Sequence, residues 1–216
     1  MDRAVPRAAT ALITGVSRGL GKELARQYAA AGWNVIGTER RDLEMTNYQQ
    51  IGQFASKLNG KPIDLLFCNA GISGKRGMGP GSFDFASWEE VLRVNLLGPA
   101  ALAEALIENV AASERRTIAM MSSRLGSISE SSGMTLPYST SKAALNMLVK
   151  GLAATLASRN ITVVALSPGW VRTDMGGEGA PLSPEASVRG LRKVIDGLKP
   201  ADSGKFFSHD GSPIPW

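Results

Sequence analysis

The chain has 216 residues, 44% of them apolar and 20% charged, which suits one well-packed globular domain. Its net charge of +5 is scattered without a Lys/Arg run, and no apolar run reaches the roughly 18–20 residues of a membrane span, so neither nucleic acid nor membrane is an expected partner. A single cysteine, Cys68, and a single histidine, His209, exclude an intramolecular disulfide, a cysteine-rich metal site and a histidine-based triad.

The start, "MDRAVPRAA", lacks the apolar core of a signal peptide, and a cytoplasmic protein is expected. "ATALIT" (9–14) reads as a strand, short and apolar, ending at Gly15. "RGLGKELARQYAAAG" (18–32) reads as a helix with Leu20, Leu24, Ala25 and Tyr28 on one face and Gly32 at its C-terminal end. "NVIGT" (34–38) is a second strand, "YQQIGQFASKL" (48–58) a helix, and "IDLLFC" (63–68) a strand running into "NAG". The pattern over 85–113 is helical but contains Gly98-Pro99, which predicts a kink there. A strand at 116–123, a strong helix at 138–158 and a strand at 161–169 follow. A helix at 183–198 opens on a Ser-Pro start signal, and "KFFS" adds a last edge strand. Strands alternating with helices imply βαβ units with right-handed crossovers. The expected fold is therefore α/β, a Rossmann-like doubly wound parallel sheet in one domain over 1–216. The Gly/Pro-rich stretch at 176–184 reads as a surface loop.

Three clusters carry chemistry. "TGVSRGLG" (14–21) lies between a strand and a helix, where glycines let the backbone approach a phosphate and the helix N-terminus offers free N–H groups. In "YSTSK", Tyr138 and Lys142 stand four residues apart and share a helix face. An ammonium near a phenol favours its ionised form and brings it toward the working range of an acid–base group. Ser122 and Ser123 close a strand at the end where parallel sheets hold ligands, so a hydroxyl there can meet a carbonyl.

In this order, with "CNAG" (68–71), "VNLLGP" (94–99) and "SPGWVRTDM" (167–175), these motifs resemble the single-domain short-chain dehydrogenases/reductases across nearly the whole chain. The ending "DGSPIPW" (210–216) resembles the C-factor/sniffer-type carbonyl reductase branch. The resemblance implies hydride transfer between a nicotinamide cofactor and a carbonyl or alcohol. Tyr138 is then the general acid or base, Lys142 its partner, Ser123 the carbonyl-orienting hydroxyl, and Asn95 the holder of a relay water. Ser123 is preferred over Ser122, although the interval to Tyr138 is longer than the usual family spacing by about two residues. For the cofactor it implies Gly15, Ser17, Arg18, Gly19, Leu20 and Gly21 in the glycine turn, and Asn69, Ala70 and Gly71 beside the adenine ribose. Tyr138, Lys142, Pro168, Gly169, Val171 and Thr173 then meet the nicotinamide side. It also implies a homodimer or homotetramer associating through the helices around 95–110 and 140–158. Trp170, Met134, Leu136 and Met175 flank the implied site, Cys68 reads as a packing thiol, and His209 reads as a surface residue.

"TERRDLEMTN" (38–47) is the least family-like stretch. Glu39 falls where an acid accepts both ribose hydroxyls and repels a 2′-phosphate, which favours NAD(H) over NADP(H). Arg40 stands where NADP-preferring members place a base, and a Glu39–arginine pair would free the site for NADPH. "LEMTN" (43–47) resembles a segment that touches adenine in the family but arrives almost at once after Arg41. A helix is therefore expected to be missing after the second strand, and a strand to be short or absent. A catalytically silent cofactor-binding regulator of the same fold is the competing reading, although the Ser–Tyr–Lys–Asn set is intact. A sugar-nucleotide epimerase of the extended branch would need a further substrate domain.

Overall fold

Four strands are buried along their entire length: β1 (Thr10–Thr14), β3 (Leu65–Cys68), β4 (Thr117–Met121) and β5 (Thr162–Ser167). Continuous apolar runs of this kind need cover on both faces, and a parallel sheet with helices above and below provides it. The computed structural model describes residues 7–75, 77 and 79–216. Its sheet has the order β2-β1-β3-β4-β5-β6, every adjacent pair parallel, with β2 (Asn34–Thr38) and β6 (Phe206–Ser208) at the edges. Strand alternation splits the core in two. Leu12, Leu66, Ile118 and Val163 face one side, where Ile51 of α2 (Tyr48–Lys57), Leu102 and Leu106 of α4 (Gly98–Ala111), and Leu145 and Val149 of α5 (Leu136–Thr155) cover them. Ile13, Phe67, Val164 and Leu166 face the other, under Leu24 and Tyr28 of α1 (Gly19–Ala30) and Val188 and Leu191 of α6 (Pro184–Asp196).

The expected doubly wound α/β architecture is present. The chain reverses its direction across the sheet after β2, so β1 and β3 flank the switch point. As expected, residues 39–47 form neither helix nor strand. The amides of Asp42 and Leu43 both donate to Glu39 O, which turns the chain at once, and Leu43 and Met45 are buried beneath it. Asn47 then caps α2 by accepting from Gln50 N.

Two helices differ from expectation. The 85–113 pattern is three pieces: α3 (Phe85–Leu92), a π-helical turn (Arg93–Leu97) and α4. The break falls one turn before Gly98-Pro99. A proline ring crowds the carbonyl four residues earlier, here that of Asn95, and the widened turn absorbs the conflict. Gly98 is needed for a second reason: a Cβ there would lie 2.6 Å from Met45 O, so only glycine lets the 43–45 segment pack against α4. Helix α5 begins at Leu136, two residues before the expected start. Pro137 suits its first turn, where an N–H has no partner anyway. Thr135 turns the chain into the helix in the left-handed region (φ 48°).

Candidate active-site cleft

At the carboxyl ends of the strands a cleft of about 320 Å³ opens, its floor built from the glycine turn. Thr14, the last residue of β1, ties that turn to β3. Its hydroxyl accepts from the amides of Asn69 and Ala70, both at 3.0 Å, while Asn69 Nδ2 donates to Thr14 O at 2.9 Å. Gly15 has φ +74°, and a Cβ on it would sit 3.0 Å from Ala70 Cα. A methyl on Gly21 would overlap the Gly15 carbonyl and lie 2.5 Å from Asn69 Nδ2. Arg18, the residue before α1, offers no side-chain cap, which leaves the first-turn N–H groups of that helix for an incoming anion. These features fit a dinucleotide pyrophosphate.

Beyond Thr38 the wall is charged and internally paired. Glu39 meets Arg41 at 3.2 Å, and Arg40 Nε meets Glu44 at 2.6 Å. Burial pulls the Glu44 carboxyl up, but the bonds from Arg40 and Thr46 outweigh it and hold the group below its ordinary range. Across the cleft mouth, Arg18 of the glycine turn contacts Asp174, on the loop after β5, at 2.9 Å, both side chains being largely exposed.

The opposite wall carries Tyr138 and Lys142 on the first turns of α5. Ser123 acts on the Tyr138 hydroxyl and favours its ionised form. Ser122 lines the cleft, but its hydroxyl is spent on Asn146 Oδ1, to which it donates at 2.6 Å. Lys142 is buried, its Nζ donating to Met121 O at 2.8 Å and lying 5.5 Å from the Tyr138 ring centre. Burial lowers Lys142 to about 8. Burial likewise pushes Tyr138 up to about 12, the Ser123 bond offsetting only part of that. The anticipated lowering of Tyr138 by Lys142 is absent in this arrangement: burial raises the phenol and Ser123 alone lowers it.

Of the residues singled out in the sequence, Gly15, Ser17, Arg18, Gly19, Leu20, Gly21, Glu39, Arg40, Asn69, Ala70, Gly71, Tyr138, Lys142, Pro168 and Thr173 line the cleft. Four stand behind its lining. Ser123 reaches it through Tyr138. Asn95 is fully buried on the π turn, its carboxamide accepting from Ile72 N and donating to Ile72 O and Ser141 Oγ, so it holds the Gly71–Ile72 segment in place. Gly169 packs on His209, with φ +80° and room for no Cβ without crowding the imidazole. Val171 is buried and bridges to Leu182. Sequence reasoning missed Thr14 and Thr38, which close their strands at the cleft, and Glu90 and Val94. Those last two stand four residues apart, on one face at the junction of α3 and the π turn. Trp170, Met134, Leu125 and Met175, all exposed, sit on the loops flanking the Tyr138 end. Cys68 is buried, as expected of a packing thiol, and burial pushes its thiol up to about 12. Among the described residues no cluster of His, Cys, Asp or Glu could hold a metal, and no helix is long and apolar enough to cross a membrane.

A parallel sheet with a glycine-floored cleft at its switch point defines a Rossmann-like α/β protein. The chain belongs to the short chain dehydrogenase family, whose model matches residues 9–56 and 41–181. It is 40% identical to the C-signal protein of Myxococcus xanthus, over 76% of this chain and 98% of that one. A Burkholderia multivorans short-chain dehydrogenase/reductase with bound NADP superposes with a TM-score of 0.88 at 32% identity, covering 97% of this chain and all of that one. The carbonyl reductase Sniffer of D. melanogaster gives 0.86 at 29%, over 97% and 100%. The NADPH-bound carbonyl reductase from chicken fatty liver gives 0.84 at 27%, over 98% and 100%.

The expectation that Glu39 selects NAD(H) finds no support. Its carboxylate is engaged by Arg41, and the Burkholderia multivorans and chicken proteins carry NADP and NADPH.

Proposed function

We propose that this protein is an NADP(H)-dependent oxidoreductase that interconverts a small carbonyl compound and its alcohol. The observation that carries the reading is the pairing of Tyr138 and Lys142, with Ser123 behind them, on one wall of a cleft whose floor is an uncapped helix N-terminus behind a glycine turn. Pro168 and Thr173 line the part of the cleft that would hold a nicotinamide, which when bound and reduced would supply hydride to a carbonyl carbon. Tyr138 donates the proton to the carbonyl oxygen, and Ser123 holds that oxygen and the phenol in one hydrogen-bonded set. Lys142, four residues along α5, places a positive charge beside the phenolate as it forms. Asn95 acts at one remove by fixing Gly71 and Ile72.

The preference for NADP(H) rests on charge. Arg41 neutralises Glu39, while Arg40 and Arg18 stand at the cleft mouth and can exchange their carboxylate partners for a 2′-phosphate. The apolar rim of Leu125, Met134, Trp170 and Met175 suits an uncharged, moderately apolar substrate. Self-association into a dimer or tetramer belongs to the same reading, since Leu97 at the head of α4 and Met147 on α5 are exposed. Light scattering tests it.

The decisive experiment pairs Tyr138→Phe with cofactor titration. The variant should lose carbonyl reduction by at least ~10²-fold, the scale of one general acid, while binding NADPH as the parent does. Retained turnover would refute the assignment of Tyr138, and a parent chain that binds NADPH but reduces no carbonyl would favour the silent regulator.

A further inference from the structure

The loop joining Ser123 to Tyr138 is tied to distant parts of the chain along its first half, while among the described residues Met134 and Thr135 bond only to Ser139 in the first turn of α5. Ser127 is buried and accepts from Glu130 N, and Arg124 grips Glu130 with two bonds at 2.9 and 3.0 Å. Asn146 of α5 holds Gly126 O at 3.0 Å. One further anchor comes from far along the chain: Trp216 O accepts from Ser129 N at 3.0 Å and from Ser129 Oγ at 2.8 Å, with Ser127 Oγ at 3.5 Å. Residues 131–135 are exposed and lead straight into α5.

The acceptor on Trp216 is main chain, so what places it is the packing of the segment that carries it. Ile214 is buried in the larger core cluster and its amide donates to Phe206 O at 2.8 Å. Phe207 and Pro213 form a short antiparallel bridge. The Trp216 ring stacks on Phe206, centroids 5.6 Å apart, and Lys150 Nζ lies 5.9 Å from its centre. Lys150 stands on α5 two turns beyond Lys142, so the same helix bears the proton-transfer pair at its start and the seat of the tail further along.

We infer that residues 210–216 form a strap that sets the position of the Ser123–Tyr138 loop, with Trp216 a positioning residue for the carbonyl substrate. The inference rests on the proposed reductase reading. Among the described residues no hydrogen bond runs from the strap to the glycine turn or to the 38–45 wall, so its effect should fall on substrate rather than on the adenine end of the cofactor. The loop it steadies carries Leu125 and Met134 of the apolar rim, and loosening it costs productive seating of the carbonyl more than it costs the chemical step.

Two variants of the full chain test this. Ser129→Ala removes one of the bonds to Trp216 and no packing, and Trp216→Ala removes the ring that seats the acceptor. With NADPH present, amide hydrogen exchange across 127–135 should accelerate by ~10-fold in Trp216→Ala and less in Ser129→Ala, with β4 unchanged. KM for 4-nitrobenzaldehyde should rise by ~5–10-fold, with kcat and the NADPH Kd within about twofold of the parent. Unchanged exchange over 127–135 would overturn the strap. Faster exchange with an unchanged KM would overturn its positioning role, as would an equal loss of NADPH affinity. A parent chain inactive on every carbonyl tested would defeat the reductase reading instead, while the exchange result would still decide whether the strap exists.

Discussion

Replacing Lys142 with methionine should stabilise the fold while it removes activity. The ammonium is 3% exposed and has one hydrogen-bond acceptor, Met121 O, among the described residues, with no carboxylate beside it. Burial lowers it from 10.5 to about 8, a fall that corresponds to about 3 kcal/mol against folding when the lysine is charged, at 1.36 kcal/mol per tenfold. Losing the bond to Met121 takes back about 1 kcal/mol, which leaves a gain of roughly 2 kcal/mol near pH 7. The sign with pH follows. Between about 8 and 10.5 the unfolded chain holds the proton and the folded chain does not, so the parent gains stability as pH rises through that window. Urea midpoints of parent and Lys142→Met at pH 7, 9 and 10.5 measure the gap, which should be widest at pH 7 and close toward 10.5. A variant less stable than the parent at pH 7, or a gap independent of pH, would refute the view that Lys142 is kept at the expense of stability.

Three other outcomes follow from the same geometry. Alcohol oxidation needs ionised Tyr138, which burial pushes up to about 12, so its kcat/KM should climb close to tenfold from pH 7 to 8 while carbonyl reduction stays flat; parallel steady-state profiles check this. Asp174→Asn frees Arg18 from its partner across the cleft mouth and should tighten NADPH by ~2–5-fold, and NADH by less, in calorimetric titration at low salt. Gly21→Ala drives a methyl into the Gly15 carbonyl, and should lower the thermal midpoint and abolish cofactor binding, as a melt with and without NADPH would show.

Most of the fold was legible because its strands are short apolar runs punctuated by glycine and its helices keep one apolar face. The position of the helix break was not. Pro99 announces a conflict, but the backbone resolves it a turn upstream, where the crowded carbonyl lies, on the turn that carries Asn95 and Val94. The glycine turn was readable residue by residue, since Gly15 and Gly21 answer close approaches and Gly19 a positive φ. Gly169 and Val171 stand behind the cleft lining, Gly169 packed on His209 and Val171 buried, and motif order says which loop reaches a site, not which of its residues face it. For Glu39 the sequence showed a place just past β2 but not a partner: the turn brings Arg41 onto its carboxylate, and an acid paired in this way gives the expected NAD(H) preference no support.

The shortened connection after β2 has a consequence at the rim of the sheet. With no strand outside it, β2 presents alternate backbone N–H and C=O groups of Asn34–Thr38 to the surroundings. It is only five residues long and carries an exposed Gly37, two features that discourage templated growth on that side. The same edge is a natural splice point. A helix and strand inserted between Arg41 and Leu43 would set a further strand beside β2 without breaking an existing ladder, because that edge is open among the described residues.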